Sequence, residues 1–152
     1  MQFLCDRNLG KLLKWLRILG YDTLGTCSER EFIAEAAQGE RIALTRQRRL
    51  VGGQMGRFIV VQADRVDRQI AELAETLSLK PDPKDRMTLC LSCNRKLCPV
   101  AKGEVEAAVP AYVYQTFANF KKCPECGRIY WPGTHVRRVE EYLRRRIPTR
   151  PL

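Results

Sequence analysis

A chain of 152 residues with 27 Lys and Arg against 17 Asp and Glu carries a formal charge of +10 and a pI near 9.6, a balance that favours a polyanionic partner, nucleic acid first. Its length allows one ordinary domain, or one of about ninety residues with an appendage too small to bury its own core. No apolar run reaches the roughly 18 residues of a spanning helix, which argues against a membrane protein, and a single histidine, His135, leaves carboxylates as the better-supplied chemistry.

In chain order, residues 2–5 (Gln-Phe-Leu-Cys) read as a short buried strand ending at Asp6. Leu9, Leu12, Leu13, Leu16 and Leu19 follow at helical spacing, with Arg7, Lys11, Lys14 and Arg17 on the opposite arc, so the helix is expected to be basic outward. Gly20 stops it, and residues 21–24 begin a second strand. Ser28 and Glu31 form a capping-box pattern ahead of Phe32, Ile33, Ala36 and Ala37. Residues 41–45 and 57–61 are apolar runs of central-strand length, separated by Arg46, Gln47, Arg48, Arg49 and the Gly52-Gly53 break. Val66, Ile70, Leu73 and Leu77 define a helix ending near Pro81. This alternation of strands and helices predicts an α/β fold: a parallel sheet covered by helices on both faces over residues 1–80, then a linker at 81–87.

Residues 88–152 hold the strongest local signal, Cys90-Leu-Ser-Cys93 and Cys123-Pro-Glu-Cys126, two knuckles about thirty residues apart. That spacing can set four thiolates tetrahedrally around one structural zinc, and Gly127 permits the tight turn after the second pair. Disulfides fit less well, because seven cysteines is an odd number and no signal peptide is seen; a cytoplasmic location is expected. A redox pair would need only one Cys-x-x-Cys. Cys98 reads as a spare thiol, and Cys5 and Cys27 as small buried fillers. An apolar stretch from Val109 to Phe120 and a helix from about Thr134, with Val136, Val139 and Leu143 inward and Arg144–Arg146 as a basic cluster, complete the module. Trp15 and Trp131 are open to two readings, stacking on bases or packing in the core.

Ligands of open α/β sheets bind beyond the carboxyl ends of the strands. Asp6, Glu29, Gln47 and Asp64 fall there, with Asp67 a lesser candidate beside Asp64. Clustered acids at such an edge bind hard divalent cations and activate water against a phosphodiester. Each acid alone also reads as a helix-start carboxylate favoured by the helix dipole.

Phe3-Leu-Cys-Asp6-Arg-Asn-Leu-Gly10, the continuation to Gly20-Tyr-Asp22, Arg41-Ile-Ala-Leu-Thr45-Arg46, Cys-x-x-Cys-Asn, and Cys123-Pro-Glu-Cys126 through Trp131-Pro-Gly-Thr-His135 together resemble the Mut7-C family. The resemblance implies a PIN-like three-layer α/β/α nuclease domain followed by a zinc ribbon. It implies a metal-dependent ribonuclease using Mg²⁺ or Mn²⁺, with Asp6 and Glu29 as the first two acids. The third place falls on Gln47, where the family typically has aspartate, so one charge of the cage is missing. RNA would lie along Arg7, Lys11, Lys14, Arg17 and Arg46. The alternatives are a non-catalytic RNA-binding protein with a degenerate pocket and a protein-interaction adaptor. Asp22 either faces the site or caps a strand turn.

Overall fold

The strands β1 (Gln2–Cys5), β2 (Asp22–Gly25), β3 (Ile42–Thr45) and β4 (Arg57–Val60) pair in parallel in the order β2-β1-β3-β4. The computed structural model describes residues 1–52 and 56–146, excepting the side chains of His135, Glu140, Leu143, Arg144 and Arg146. Side chains alternate across the sheet. Phe3, Cys5, Ile42 and Leu44 turn to one face, where α1 (Gly10–Ile18) and α3 (Val66–Leu77) supply Leu12, Leu16, Ile70 and Leu73. Leu4 and Ala43 turn to the other and meet Phe32 and Ala36 of α2 (Glu29–Ala37). Helices on both faces are why these strands are apolar throughout rather than alternating, and the result is α/β with three layers. The β3–β4 connection contains only a 3₁₀ turn at Arg48–Leu50 among its described residues.

Ser28 caps α2 by accepting from the Glu31 amide at 3.2 Å. Glu31 does not return the bond to Ser28; its carboxylate accepts from the Cys27 amide at 2.8 Å, one residue earlier. Cys27 itself is exposed, contrary to its expected role as a filler, in the turn that precedes the Ser28 cap. Cys5 is the buried filler expected of it, and burial pushes its thiol far up, leaving it inert.

Beyond α3 the chain forms an antiparallel sheet of β5 (Cys98–Val100), β6 (Phe120–Lys122) and β7 (Ile129–Tyr130), with α4 (Ala111–Thr116) between its first two strands. Val105, Val113 and Phe120 make its small core. The segment expected as a linker is seated on the first layer: Met87 N–H donates to the Ile18 carbonyl at 2.9 Å. Gly20, at φ +90°, lies so close that a Cβ would stand 2.5 Å from the Asp85 carbonyl oxygen, so no side chain fits there. The terminal helix α5 (Thr134–Arg146) packs back on the N-terminal core through Val139, while the Tyr142 hydroxyl donates to the Asp67 carbonyl at 2.7 Å and its ring meets Trp15 edge-on. Of the expected basic cluster, Arg145 pairs with Glu141 one turn back; the His135, Leu143, Arg144 and Arg146 side chains and Gly53 lie outside the described residues. Among the described residues, no helix is long and apolar enough to cross a membrane.

Arg17 corrects the expected basic face. It is 5% exposed, and its guanidinium donates to the Thr23 carbonyl at 2.9 and 2.7 Å and to the Leu91 and Ser92 carbonyls at 2.8 and 3.0 Å. The wheel put it opposite the leucines, but the first cysteine knuckle covers that arc. Lys11 and Lys14 remain exposed. Arg17→Met strips all four bonds and leaves buried carbonyls unpaired, so it is expected to lower stability by about 3 kcal/mol. Urea denaturation of the metal-loaded protein measures the shift; an unchanged midpoint contradicts the role.

Candidate active site and cysteine centre

β1 and β3 are the central strands, and their carboxyl ends carry Asp6 and Thr45 side by side. Asp6 is 4% exposed. One carboxylate oxygen accepts from the Asn8 amide at 2.8 Å, making Asp6 the cap of the turn that leads into α1. The other accepts from the Thr45 hydroxyl at 2.5 Å. Thr45 Oγ1 in turn accepts from the Gln47 amide at 3.0 Å. A buried carboxylate in no ion pair among the described residues is costly, which is typical of a group kept for function.

Gln47 leads outward. Its side-chain oxygen accepts from Arg49 at 2.7 Å, and the same guanidinium grips both oxygens of Glu29. Hydrogen bonding from Arg49 holds the Glu29 carboxyl below its usual range. The chain Asp6, Thr45, Gln47, Arg49, Glu29 is therefore continuous, and the cation between Gln47 and Glu29 is an arginine. On the other flank Asp64, 85% exposed in its side chain, is paired with Arg46. Asp67 turns to Arg65 instead. Asn8, Lys11, Arg46, Asp64 and Gln69 line a cleft of about 380 Å³ beside Asp6. Asp6, Glu29, Gln47 and Asp64 thus share one edge, but their oxygens do not converge into a ligand cluster; Arg49 and Arg46 hold the two outer acids apart from Asp6. Arg49 and Asn8 were missed in the sequence; Arg49 was one of a run of arginines, with no local signal to single it out.

Asp22 is elsewhere. It starts β2 and pairs in register with Gln2, about 13 Å of strand from Asp6. Arg41 at 2.7 Å and the Asn94 amide at 2.6 Å bind it, and these bonds, Arg41 above all, hold its carboxyl below the usual range. Its role is structural: it joins the sheet to the first knuckle.

The four knuckle sulfurs lie within 4.8 Å of one another, so they can hold a metal such as zinc. The two knuckles fold alike. Cys90 and Cys123 amides donate to the Arg95 and Arg128 carbonyls, and Asn94 and Gly127 amides return to the Cys90 and Cys123 carbonyls. Asn94 (φ 62°) and Gly127 (φ 73°) occupy equivalent left-handed positions, which asparagine and glycine adopt most readily. Burial works to raise the Cys90 thiol, but bonds from the Tyr130 hydroxyl and the Cys93 and Ser92 amides bring it down to about 6. Cys93, crowded first by its bond with Cys126, is pushed up to about 12. The Cys90 thiolate forms readily while the Cys93 and Cys123 thiols resist, as expected of sulfurs gathered for a shared cation. The buried Arg17 beside Cys90 and Cys93 offsets part of their charge. Cys98 is outside the cluster.

The family model described as the Mut7-C RNAse domain matches residues 1–143. The chain belongs to the Mut7-C family. No curated protein and no solved structure matches it. The match spans both the α/β layers and the cysteine centre of this Mut7-C chain, and the family's RNAse description points to a ribonuclease-type nuclease with RNA as substrate.

Proposed function

We propose that this chain is a metal-dependent ribonuclease with a PIN-like nuclease domain at residues 1–80 and a structural zinc ribbon in residues 88–152, acting on RNA in the cytoplasm. The observation that supports it most is the buried carboxylate of Asp6 at the carboxyl edge of the central strand, in no ion pair among the described residues, its partner Asn8 lining a cleft with Lys11 and Arg46. The donor chemistry fits a hard divalent cation, since Asp6, Glu29, Gln47 and Asp64 offer oxygen only. Such an ion, Mg²⁺ or Mn²⁺, would supply charge against the phosphodiester and an activated water. Asp6 is fixed in orientation by Asn8 and Thr45 and would be the central ligand. Glu29 and Asp64 would be free to hold the ion once Arg49 and Arg46 turn to the RNA phosphates, which compete with carboxylates for guanidinium. Lys11, Lys14 and Arg7 extend the phosphate track; Arg17 does not take part.

The Arg49 clamp also favours the second reading, a non-catalytic RNA-binding protein, because a guanidinium already satisfies Gln47 and Glu29. Gln47→Asp decides between them. An added carboxylate attracts a divalent ion by about 1 kcal/mol at an exposed edge, so Mn²⁺ affinity by calorimetry is expected to rise about fivefold, and cleavage of an RNA panel with it. No change in either quantity removes position 47 from the site. RNA binding with no cleavage from either form establishes the second reading.

A further inference from the structure

We propose that the cysteine module carries a pocket for an unpaired nucleobase of single-stranded RNA, an inference that rests on the reading of RNA as the ligand. An open pocket of about 400 Å³ lies on the antiparallel sheet, walled by Met87, Pro99, Trp131 and Pro132. Its size and apolar walls with a few polar groups are those of a small-ligand site. Trp131 is half-buried and braced by Phe120, with ring centroids 6.5 Å apart and planes tilted by 59°, so its ring is held in place. Asn119 and Lys121 also line the pocket. Among the described residues the Asn119 carboxamide and the Trp131 indole N–H make no hydrogen bond, leaving a donor and acceptor pair and a second donor for a base edge.

The charge around the pocket selects the occupant. Among its described lining residues there is no carboxylate. Lys121 stands in the wall, its ammonium on the Met87 carbonyl at 2.9 Å. An aromatic face beside a lysine is how single strands are gripped, the base stacking while the cation meets the backbone. Tyr130, a further lining residue, has its hydroxyl on Cys90 Sγ at 3.1 Å and so ties the pocket to the cysteine centre. Met87 is bonded to Ile18 at the end of α1, which returns to the amino end of the sheet. The base is therefore held at the end of the molecule opposite Asp6, and the pocket acts on substrate binding rather than on the bond broken.

Trp15→Phe leaves Trp131 as the sole tryptophan of the chain's two. Titration with oligouridylate is expected to quench its emission saturably, whereas an abasic oligomer of equal length and charge binds by anisotropy without quenching. Trp131→Ala is expected to weaken oligouridylate binding about tenfold while metal content and binding of the abasic oligomer hold, a loss in the range of one stacked base. If Trp15→Phe does not fold, the Trp131 resonance of fluorotryptophan-labelled wild-type protein, assigned by its loss in Trp131→Phe, is followed instead. Oligouridylate that binds as tightly as the abasic oligomer with Trp131 emission unmoved overturns the pocket and leaves the RNA reading intact. If neither oligomer binds, the RNA reading fails; quenching by an apolar peptide and not by oligouridylate also overturns the pocket, as a protein-docking site.

Discussion

Removing the metal from the cysteine centre is expected to unfold the C-terminal module and loosen the α/β layers with it. Binding of a structural zinc contributes on the order of 10 kcal/mol, as much as a small domain's whole stability. The β5–β7 sheet has only the few buried side chains around Val105, Val113 and Phe120, too small a core to stand alone. Loss would spread, because Arg17 and Asn94 anchor the first knuckle to α1 and β2. Cys90→Ser should therefore lose the zinc found by elemental analysis and lower the melting temperature by more than about 10 °C, while Cys98→Ser changes neither. Zinc-free wild-type protein, or Cys90→Ser with wild-type zinc content and melting, contradicts the ribbon.

The second large effect is expected at Asp6. Asp6→Asn keeps the shape of the side chain, and its carbonyl can still accept from Asn8 while its amide donates to Thr45 Oγ1. The buried charge is gone, so stability should hold or rise slightly. With Asp6 as the central anionic ligand we propose, its loss would remove several kcal/mol of stabilisation, and cleavage is expected to fall by about a thousandfold or more. Activity and stability moving apart is the signature; a melting temperature that falls with activity would make Asp6 a structural carboxylate.

The architecture was legible wherever the pattern is local. The runs at 2–5, 42–45 and 57–60 are short and apolar because helices cover both faces, and the knuckle spacing marks the four cysteines whose sulfurs gather within 4.8 Å. What stayed hidden depends on contacts far along the chain. Arg17 obeys the helical wheel of its own segment, yet its partners at Leu91 and Ser92 are 74 and 75 residues away. Asp22 was open to two readings, facing the site or capping a strand turn, and only Asn94 and Arg41, distant in sequence, place it away from the site. The composition of residues 81–87 marks a linker but carries no sign that Asp85 and Met87 would seat on Gly20 and Ile18. At the carboxyl edge the order of the acids was readable from strand ends alone, whereas their pairing with Arg49 and Arg46 was not, since charge runs carry no information on which partner each arginine takes.

Cleavage of single-stranded RNA by the metal-loaded wild-type protein, with and without Mn²⁺ and beside Asp6→Asn prepared identically, tests the central claim most directly. Mn²⁺-dependent product from wild type and none from Asp6→Asn is the predicted result. Product formed equally by both, or by neither while both bind RNA, contradicts it.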